Sequence, residues 1–517
     1  MEKFRMNVKS SWRPVLIAAA LLAAAGTAFA ADTPPPDPVK TTVKPDFRLS
    51  PETFFKTNTD FQKERKVFAW FMMCCGPFNG GQNADIEQYM AEIQMAQSMG
   101  IDGFGLDIMQ VNKEYKTSIE KIFQAAKQLN SGFKLFFEFD YGKPDLVERS
   151  ENIIALLKEY SRHECYQLVD GRPLAGYYGG DLSVKENQVK SIEWWRENVV
   201  KPLAASNINI FYVPTTWEQI RSGGGSMDTS NAEIASWGET AQGMSIWQIQ
   251  LSPLGGGLKL LERHAEALHN AGKTWMSTVA MHYWCGSSRS IPSWYWKPGQ
   301  PAAADCVNGT YYEHAGGKGL DMQWQSVINI QKPEWVMMLT WNDYNESYIT
   351  PVDDYRKYPN GTGQAPLGWY KSMAGLDELN RYYIQWYKTG SRPEITADSL
   401  FYSYRTSSQK LIASQDPRPP VKIGNGPVGD DIYITTALTA PARLLVISGS
   451  SKNEFDVPAG INHTVVPFSV GKQSFSLWRD GARIANVDGA PVVDSIQFYD
   501  YWPTTGYTKA AIEGTQK

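Results

Sequence analysis

GIDGFGLDIMQVNKEYKTSIEKIFQAAKQLNSGFKLFFEFD, residues 100–140, reads as strand, helix, strand. GFGLDI (103–108) and KLFFEFD (134–140) are short, nearly continuous apolar runs. A strand apolar along its whole length is covered on both faces, which is the mark of a parallel sheet. The segment between them is polar with a helical apolar spacing, and Thr117-x-x-Glu120 has the form of a capping box, so a helix is predicted to open there. Upstream, Ile86, Tyr89, Met90, Ile93 and Ala96 fall on one helical face, and Gly100 is the stop signal.

The same unit recurs on both sides. VFAWFM (67–72) precedes it, and PLAGYY (173–178), INIFYVP (208–214), GMSIW (243–247), TWMSTVA (274–280) and WVMMLTW (335–341) follow. Helical spacing is found at 146–160, 185–200, 258–270, 322–330 and 369–388. Eight apolar strands, most followed by a helix, predict an α/β fold of the (β/α)8 TIM-barrel type over an open doubly wound sheet. No Gly-rich dinucleotide fingerprint follows any strand. From about 393 the period changes. Alternating runs at 399–404, 431–438, 442–448, 473–478 and 493–499 lie between Gly, Pro, Asn and Asp, predicting a C-terminal β-sandwich domain. A chain of 517 residues is too long for one core. The expected organisation is therefore a signal peptide (1–30), a Pro-rich linker (31–46), a barrel (47–392) and a β-sandwich accessory domain (393–517).

Lys3, Arg5, Lys9 and Arg13 precede a short apolar run, and Ala28-Phe29-Ala30 fits a small-x-small cleavage site. This predicts a bacterial-type export signal and a secreted or periplasmic protein that no longer meets the membrane after cleavage. The formal net charge of −4 gives no basic face for nucleic acid. Five cysteines, Cys74, Cys75, Cys165, Cys285 and Cys306, form no zinc spacing, and Cys285 with Cys306 is the expected disulfide. No cofactor or metal is called for, and the chain is expected to act as a monomer.

In a barrel, chemistry lies at the C-terminal ends of the strands. Those ends carry Asp107, Asp140, Asp181, Trp247-Gln248, His282-Tyr283-Trp284 and Trp341-Asn342-Asp343-Tyr344-Asn345-Glu346. Carboxylates, amides and aromatic rings suit glycoside hydrolysis. That reaction needs one acid to protonate the leaving oxygen and a second carboxylate to act on water or the anomeric carbon. Asp343 and Glu346 are the expected catalytic pair. Asp107, Asp140, Trp247, Gln248, His282, Tyr283, Trp284, Trp294, Trp296, Trp341, Asn342 and Tyr344 are the expected substrate contacts. A carboxylate at a strand end equally suits the cap of the next helix. The 18 Trp and 26 Tyr serve packing as well as stacking on sugar faces.

VFAWFM (67–72), GIDGFGLDI (100–108), DGRPLAGYYGG (170–180), WYWK (294–297) and above all TWNDYNESYI (340–349) resemble the corresponding segments of glycoside hydrolase family 71, the mutanases or endo-α-1,3-glucanases. The resemblance spans about 65–390. It implies an inverting endo-hydrolase of α-1,3-glucan in which the Asp-x-x-Glu dyad, here Asp343 and Glu346, is catalytic. This chain departs from the pattern at Asn345, where Gly is usual. It also lacks a His between Ser347 and Tyr348, and has Gln248 where fungal members carry an acid. A hydrolase of another α-linked glycan such as mannan, or a non-catalytic polysaccharide-binding protein, would share the aromatic walls. A binder has no need for the paired acids.

Overall fold

The apolar runs pair side by side and all in one direction. The first strand, Lys66–Met72, hydrogen-bonds to the second, Gly103–Ile108, on one edge and to the eighth, Trp335–Leu339, on the other. The third, Lys134–Phe139, joins the second to the fourth, Arg172–Tyr177. The fifth position is filled by two short pieces. Phe211–Tyr212 pairs with the fourth strand and Thr215–Thr216 with the sixth, Gly243–Ile246. The seventh, Thr274–Ala280, lies between the sixth and the eighth. The parallel sheet thus curls until its first and last strands meet. This computed structural model describes residues 53–78, 80–140, 146–178, 192–216, 237–249, 252–285, 310–344, 346–350, 356–357, 369–414, 422–423, 428–496 and 499–509. The expected signal, linker and Asp181 lie outside them.

Strand parity decides what fills the curl. Phe68 meets Phe136 edge-on at 5.0 Å, and Trp335 lies against both Phe68 and Phe211. One layer higher, Glu138 fills the space left by Gly105 and Gly176. A methyl group at Gly176 would overlap the Glu138 carboxyl, so glycine there is a packing requirement. Glu138 is fully buried, and neither of its oxygens has a hydrogen-bond partner among the described residues. Burial pushes its pKa well above the carboxylate range, so it is held as the neutral acid.

Two sequence expectations are corrected here. The helix Lys113–Leu129 opens at Asn112, whose side chain accepts a hydrogen bond from Tyr115 N at 2.9 Å, so Thr117 lies inside the helix. Asn is the stronger N-cap. The reciprocal capping box belongs instead to Asp85 and Gln88, at the head of Ile86–Ser98. Near the C-terminus, the described residues of 493–499 form no strand. Ala482–Val492 and Thr504–Lys509 take the edge positions, and Ser451–Val457 and Gly460–Pro467 add two hairpin strands. Those two escaped notice because their exposed face alternates charge and polarity with few buried apolar residues.

Beyond the curled sheet, Ser399–Tyr404, Asp431–Leu438, Gly460–Pro467 and Thr504–Lys509 form one antiparallel sheet. Ala442–Ser448, Ser451–Val457, Gly471–Arg479 and Ala482–Val492 form a second. Leu400, Tyr402, Ile432 and Ile434 of the first share one apolar cluster with Leu444, Val446, Phe475 and Leu477 of the second. The first sheet packs on helices Gly316–Gln325 and Ala374–Thr389. The Tyr499–Trp502 segment goes further. Trp502 meets His282 edge-on at 5.0 Å, Tyr501 lies 5.1 Å from Trp284, and the buried Lys371 bonds Trp502 O at 2.7 Å and Asp500 at 3.1 Å.

Replacing Gly176 by Ala is expected to lower unfolding free energy by about 1–3 kcal/mol through overpacking. The loss should shrink in a Glu138→Ala background, measured by urea denaturation of the two single variants and the double. Equal losses in both backgrounds would remove Glu138 as the cause.

Candidate active site

The strand ends converge. Asp107 closes the second strand and is 2% exposed. Its Oδ2 accepts a hydrogen bond from Trp70 Nε1, on the first strand, at 2.9 Å. Its Oδ1 has no hydrogen-bond partner among the described residues. Burial, then the charge of Asp140, then Cys74, with Asp343 contributing less, push its pKa well above the carboxylate range, against the Trp70 N–H. Burial thus favours the protonated form of Asp107.

Tyr178, at the end of the fourth strand, reports the same crowding. Burial, and then the negative charge that Asp140, Glu346, Asp107 and Asp343 carry when ionised, raise its pKa well above the usual phenol range. Acids at the ends of the second, third and eighth strands thus share one end of the sheet with Tyr178. Beside it stand three rings. Trp247 lies 4.9 Å from Tyr178 and 5.0 Å from Trp70, and Trp70 lies 6.0 Å from Tyr178, all edge-on. The acids are collected in a low-dielectric, aromatic surrounding, where Coulomb coupling is strong.

After the eighth strand the chain makes a small hairpin. Asn342–Asp343 pairs antiparallel with Ser347–Tyr348, placing Asp343 opposite Ser347. Thr340 Oγ1 accepts from Asp343 N at 2.7 Å and donates to Ser347 O at 2.6 Å. Glu346 N donates to Asp343 O at 3.1 Å. The Asp-x-x-Glu spacing is thus realised as a hairpin, and Asp343 is the N-cap of no helix among the described residues. Asp343 is 8% exposed and Glu346 half-buried. Cys285 Sγ lies 3.8 Å from Glu346 Oε1, and Trp284 N donates to Glu346 O at 2.9 Å. Cys285 is disulfide-bonded; Cys306, its expected partner, lies outside the described residues.

The other expected site residues divide. Asp107, Asp140 and Trp247 belong to the converging group. Gln248 is buried, with Nε2 donating to Thr278 O. Asn342 is fully engaged with backbone. Its Oδ1 accepts from Met72 N at 2.7 Å, and its Nδ2 donates to Met72 O and Gly76 O at 3.1 and 2.8 Å. Trp341 donates to Glu92 at 2.5 Å. His282 is buried, Nε2 bonds the Tyr348 carbonyl at 2.8 Å, and burial pushes its pKa down to about 3. Tyr283 and Trp284 are buried against Tyr312 and Tyr501, and Tyr344 against Phe78. These residues shape the rim through packing and backbone hydrogen bonds. Trp294 and Trp296 lie outside the described residues.

Three contributors were not singled out in the sequence: Trp70, Tyr178 and Glu92. Trp70 and Tyr178 sit in apolar runs, and only their parity with Asp107 and Asp140 could have marked them as facing the same end. Glu92 lies in the middle of an amphipathic helix, where a lone acid reads as solvated. It is buried, and accepts from both Phe78 N (3.0 Å) and Trp341 Nε1.

Closely packed acids and aromatic rings at the C-terminal rim of a parallel α/β sheet define a glycoside hydrolase. Residues 63–516 match the model of glycosyl hydrolase family 71, and the chain belongs to that family. It is 26% identical over 464 residues to "Mutanase Pc12g07500" of Penicillium rubens, covering 86% of this chain and 89% of that protein. It is 26% identical over 435 residues to "Glucan endo-1,3-alpha-glucosidase agn1" of Schizosaccharomyces pombe, covering 81% and 90%. Among solved structures, a GH99 endo-α-mannosidase of Bacteroides thetaiotaomicron superposes with a TM-score of 0.45 at 12% identity, covering 62% of this chain and 97% of that one.

Burial pushes the Glu92 carboxyl up to about 7, against the Trp341 and Phe78 N–H groups. Its folded-state pKa thus stands above the unfolded one. The stability it contributes is present below the unfolded pKa and lost as pH rises through 7. Urea unfolding from about pH 5 to about pH 8 should show a decline of on the order of 3 kcal/mol from this group. Glu92→Gln should flatten that slope, and an unchanged slope would assign the decline elsewhere.

Proposed function

We propose that the chain is an exported, monomeric endo-hydrolase of α-1,3-glucan. Its curled sheet is read as a (β/α)8 barrel spanning 47–392, and the paired antiparallel sheets as a β-sandwich over 393–517. The pairing of strands at all eight positions supports the first reading, and the apolar cluster shared by the two sheets supports the second. The observation that carries the function is the hairpin after the eighth strand that sets Asp343 and Glu346 three positions apart at the same strand-end rim as Asp107, held by Trp70. Family membership and the printed activities of the curated relatives support the substrate.

In the proposed mechanism the glucan crosses the strand ends with a ring near Trp70, Tyr178 and Trp247. Glu346 gives its proton to the glycosidic oxygen as the C–O bond breaks. Asp343 takes a proton from the water that attacks the opposite face of the anomeric carbon, so configuration inverts. Asp107 and Asp140 hold sugar hydroxyls. The neutral Asp107 can donate a hydrogen bond that an ionised carboxylate cannot.

Asp343→Asn and Glu346→Gln should each lower release of reducing ends from insoluble α-1,3-glucan by roughly 10²–10⁴-fold, with binding to the glucan kept. Near-normal turnover in either variant rejects that assignment. NMR of the first-formed product should show the β-anomer, and an α-anomer rejects inversion. Because Asp107 acts as a neutral acid, Asp107→Asn should cost less than tenfold and Asp107→Ala much more. Equal losses would show that Asp107 works ionised.

A further inference from the structure

Cys74 and Cys75 stand side by side at the end of the first strand. Both are half-buried, and neither forms a disulfide. Their sulfurs are 3.6 Å apart. Cys74 comes two residues after Met72, which lies opposite Asp107 in the ladder of the first and second strands. Its pKa is raised by the hydrogen bond with Cys75 and by burial, with Asp343 and Asp140 contributing less. The pair is therefore at the rim that carries Asp107.

The backbone around the pair is tied to the eighth strand. Cys75 N and Gly76 N both donate to Met72 O at 3.1 Å, making a tight turn. Asn342 grips both ends of that turn through Met72 and Gly76. Gln82 Nε2 donates to Cys74 O at 2.7 Å. Asn342 is the chain neighbour of Asp343, so whatever reshapes 72–76 pulls on the hairpin that carries the acids.

We propose that Cys74 and Cys75 are a redox modification site, a vicinal dithiol that small-molecule disulfides convert reversibly to a Cys74–Cys75 disulfide, turning the hydrolase down. Cys75 as thiolate attacks one sulfur of the external disulfide, forming a mixed disulfide and releasing one thiol. Cys74, losing its proton to solvent, attacks the Cys75 sulfur, and the second external thiol leaves. The protein gives up two electrons and two protons, and the external disulfide takes them to become two thiols.

The ring cannot close on the present backbone. Adjacent Cα atoms are about 3.8 Å apart across a trans peptide and about 2.9 Å across a cis one. Ordinary disulfides span about 4.4–6.8 Å between Cα atoms. The sulfurs, 3.6 Å apart, must approach to about 2.05 Å within a strained ring, which calls for rotation about the Cys74–Cys75 peptide away from its relaxed geometry. That rotation moves Cys74 O off Gln82 and displaces the carbonyls held by Asn342. Displacements of this size next to reacting groups cost rate steeply, whereas the fold, carried by the strand ladder, stays intact.

This inference rests on the hydrolase reading only for its activity readout. The full chain would be incubated with oxidised glutathione, alkylated and digested, with a dithiothreitol-treated sample beside it. The expected result is a peptide spanning Cys74 and Cys75 that is lighter by two hydrogens and takes no alkyl group. Glucan hydrolysis should fall by roughly tenfold or more and recover in dithiothreitol. Cys75→Ser and Cys74→Ser should keep the reduced activity and lose the response, and Cys165→Ser should keep the response. Both thiols remaining alkylatable after oxidation, or a disulfide that leaves activity unchanged, overturns the proposal. A reduced chain that releases nothing from α-1,3-glucan overturns the substrate reading alone. The mass shift and the accompanying change in tryptophan fluorescence then still decide the dithiol.

Discussion

The structure depends on the ladder between its first and eighth strands, which pairs Lys66 with Trp335, Val67 with Val336, Phe68 with Met337 and Ala69 with Met338. Those segments are nearly 270 residues apart in the chain. Only when they meet does the turn after Met72 reach Asn342, and only then does the hairpin bearing Asp343 and Glu346 stand over Trp70 and Asp107. The backbone ladder sets the register. The Asn342 side chain, bonded to the amide and carbonyl of Met72 and to the carbonyl of Gly76 in the turn that follows, locks the two loops together above it.

Once that ring is formed, the acids are brought into mutual repulsion in a setting that solvates charge poorly. The conflict is resolved by proton retention. Asp107 keeps its proton, Tyr178 stays a phenol, and Glu138, one layer below, is neutral as well. Environment thus differentiates side chains that are chemically alike, which is how one fold holds an acid and a base at one pH. Glu92 plays a different part from behind. Two N–H donors, one from each neighbouring loop, end on its carboxylate, so its charge state is coupled to the placement of Trp341.

The C-terminal sheets act on the same rim. Trp502 and Tyr501 fill the space behind His282, Tyr348 and Trp284, and Lys371 fastens them through a buried charge-assisted hydrogen bond and an ion pair. His282 is neutral for the same reason that Lys371 is paired: both are buried, and an uncompensated charge there is costly.

The strands were legible in the chain because a strand covered on both faces must be apolar throughout, and Gly103–Ile108 and Thr274–Ala280 coincide with what that pattern predicts. That Asp343 and Glu346 follow the eighth strand was legible too, as two acids after a run that tolerates no charge. What the chain alone did not reveal were partners distant in sequence. Glu92 on Trp341 and Asn342 on Met72 are side-chain contacts created by ring closure across 249 and 270 residues, and Trp70 on Asp107 needs the first two strands paired in register; no local pattern encodes such neighbours. The roles of His282 and Trp284 were likewise decided by tertiary packing. Local sequence specifies which segments become strands and helices. Whether a polar ring at a strand end faces the groove or is sealed behind it depends on what packs over it, here the Tyr499–Trp502 segment from the far end of the chain.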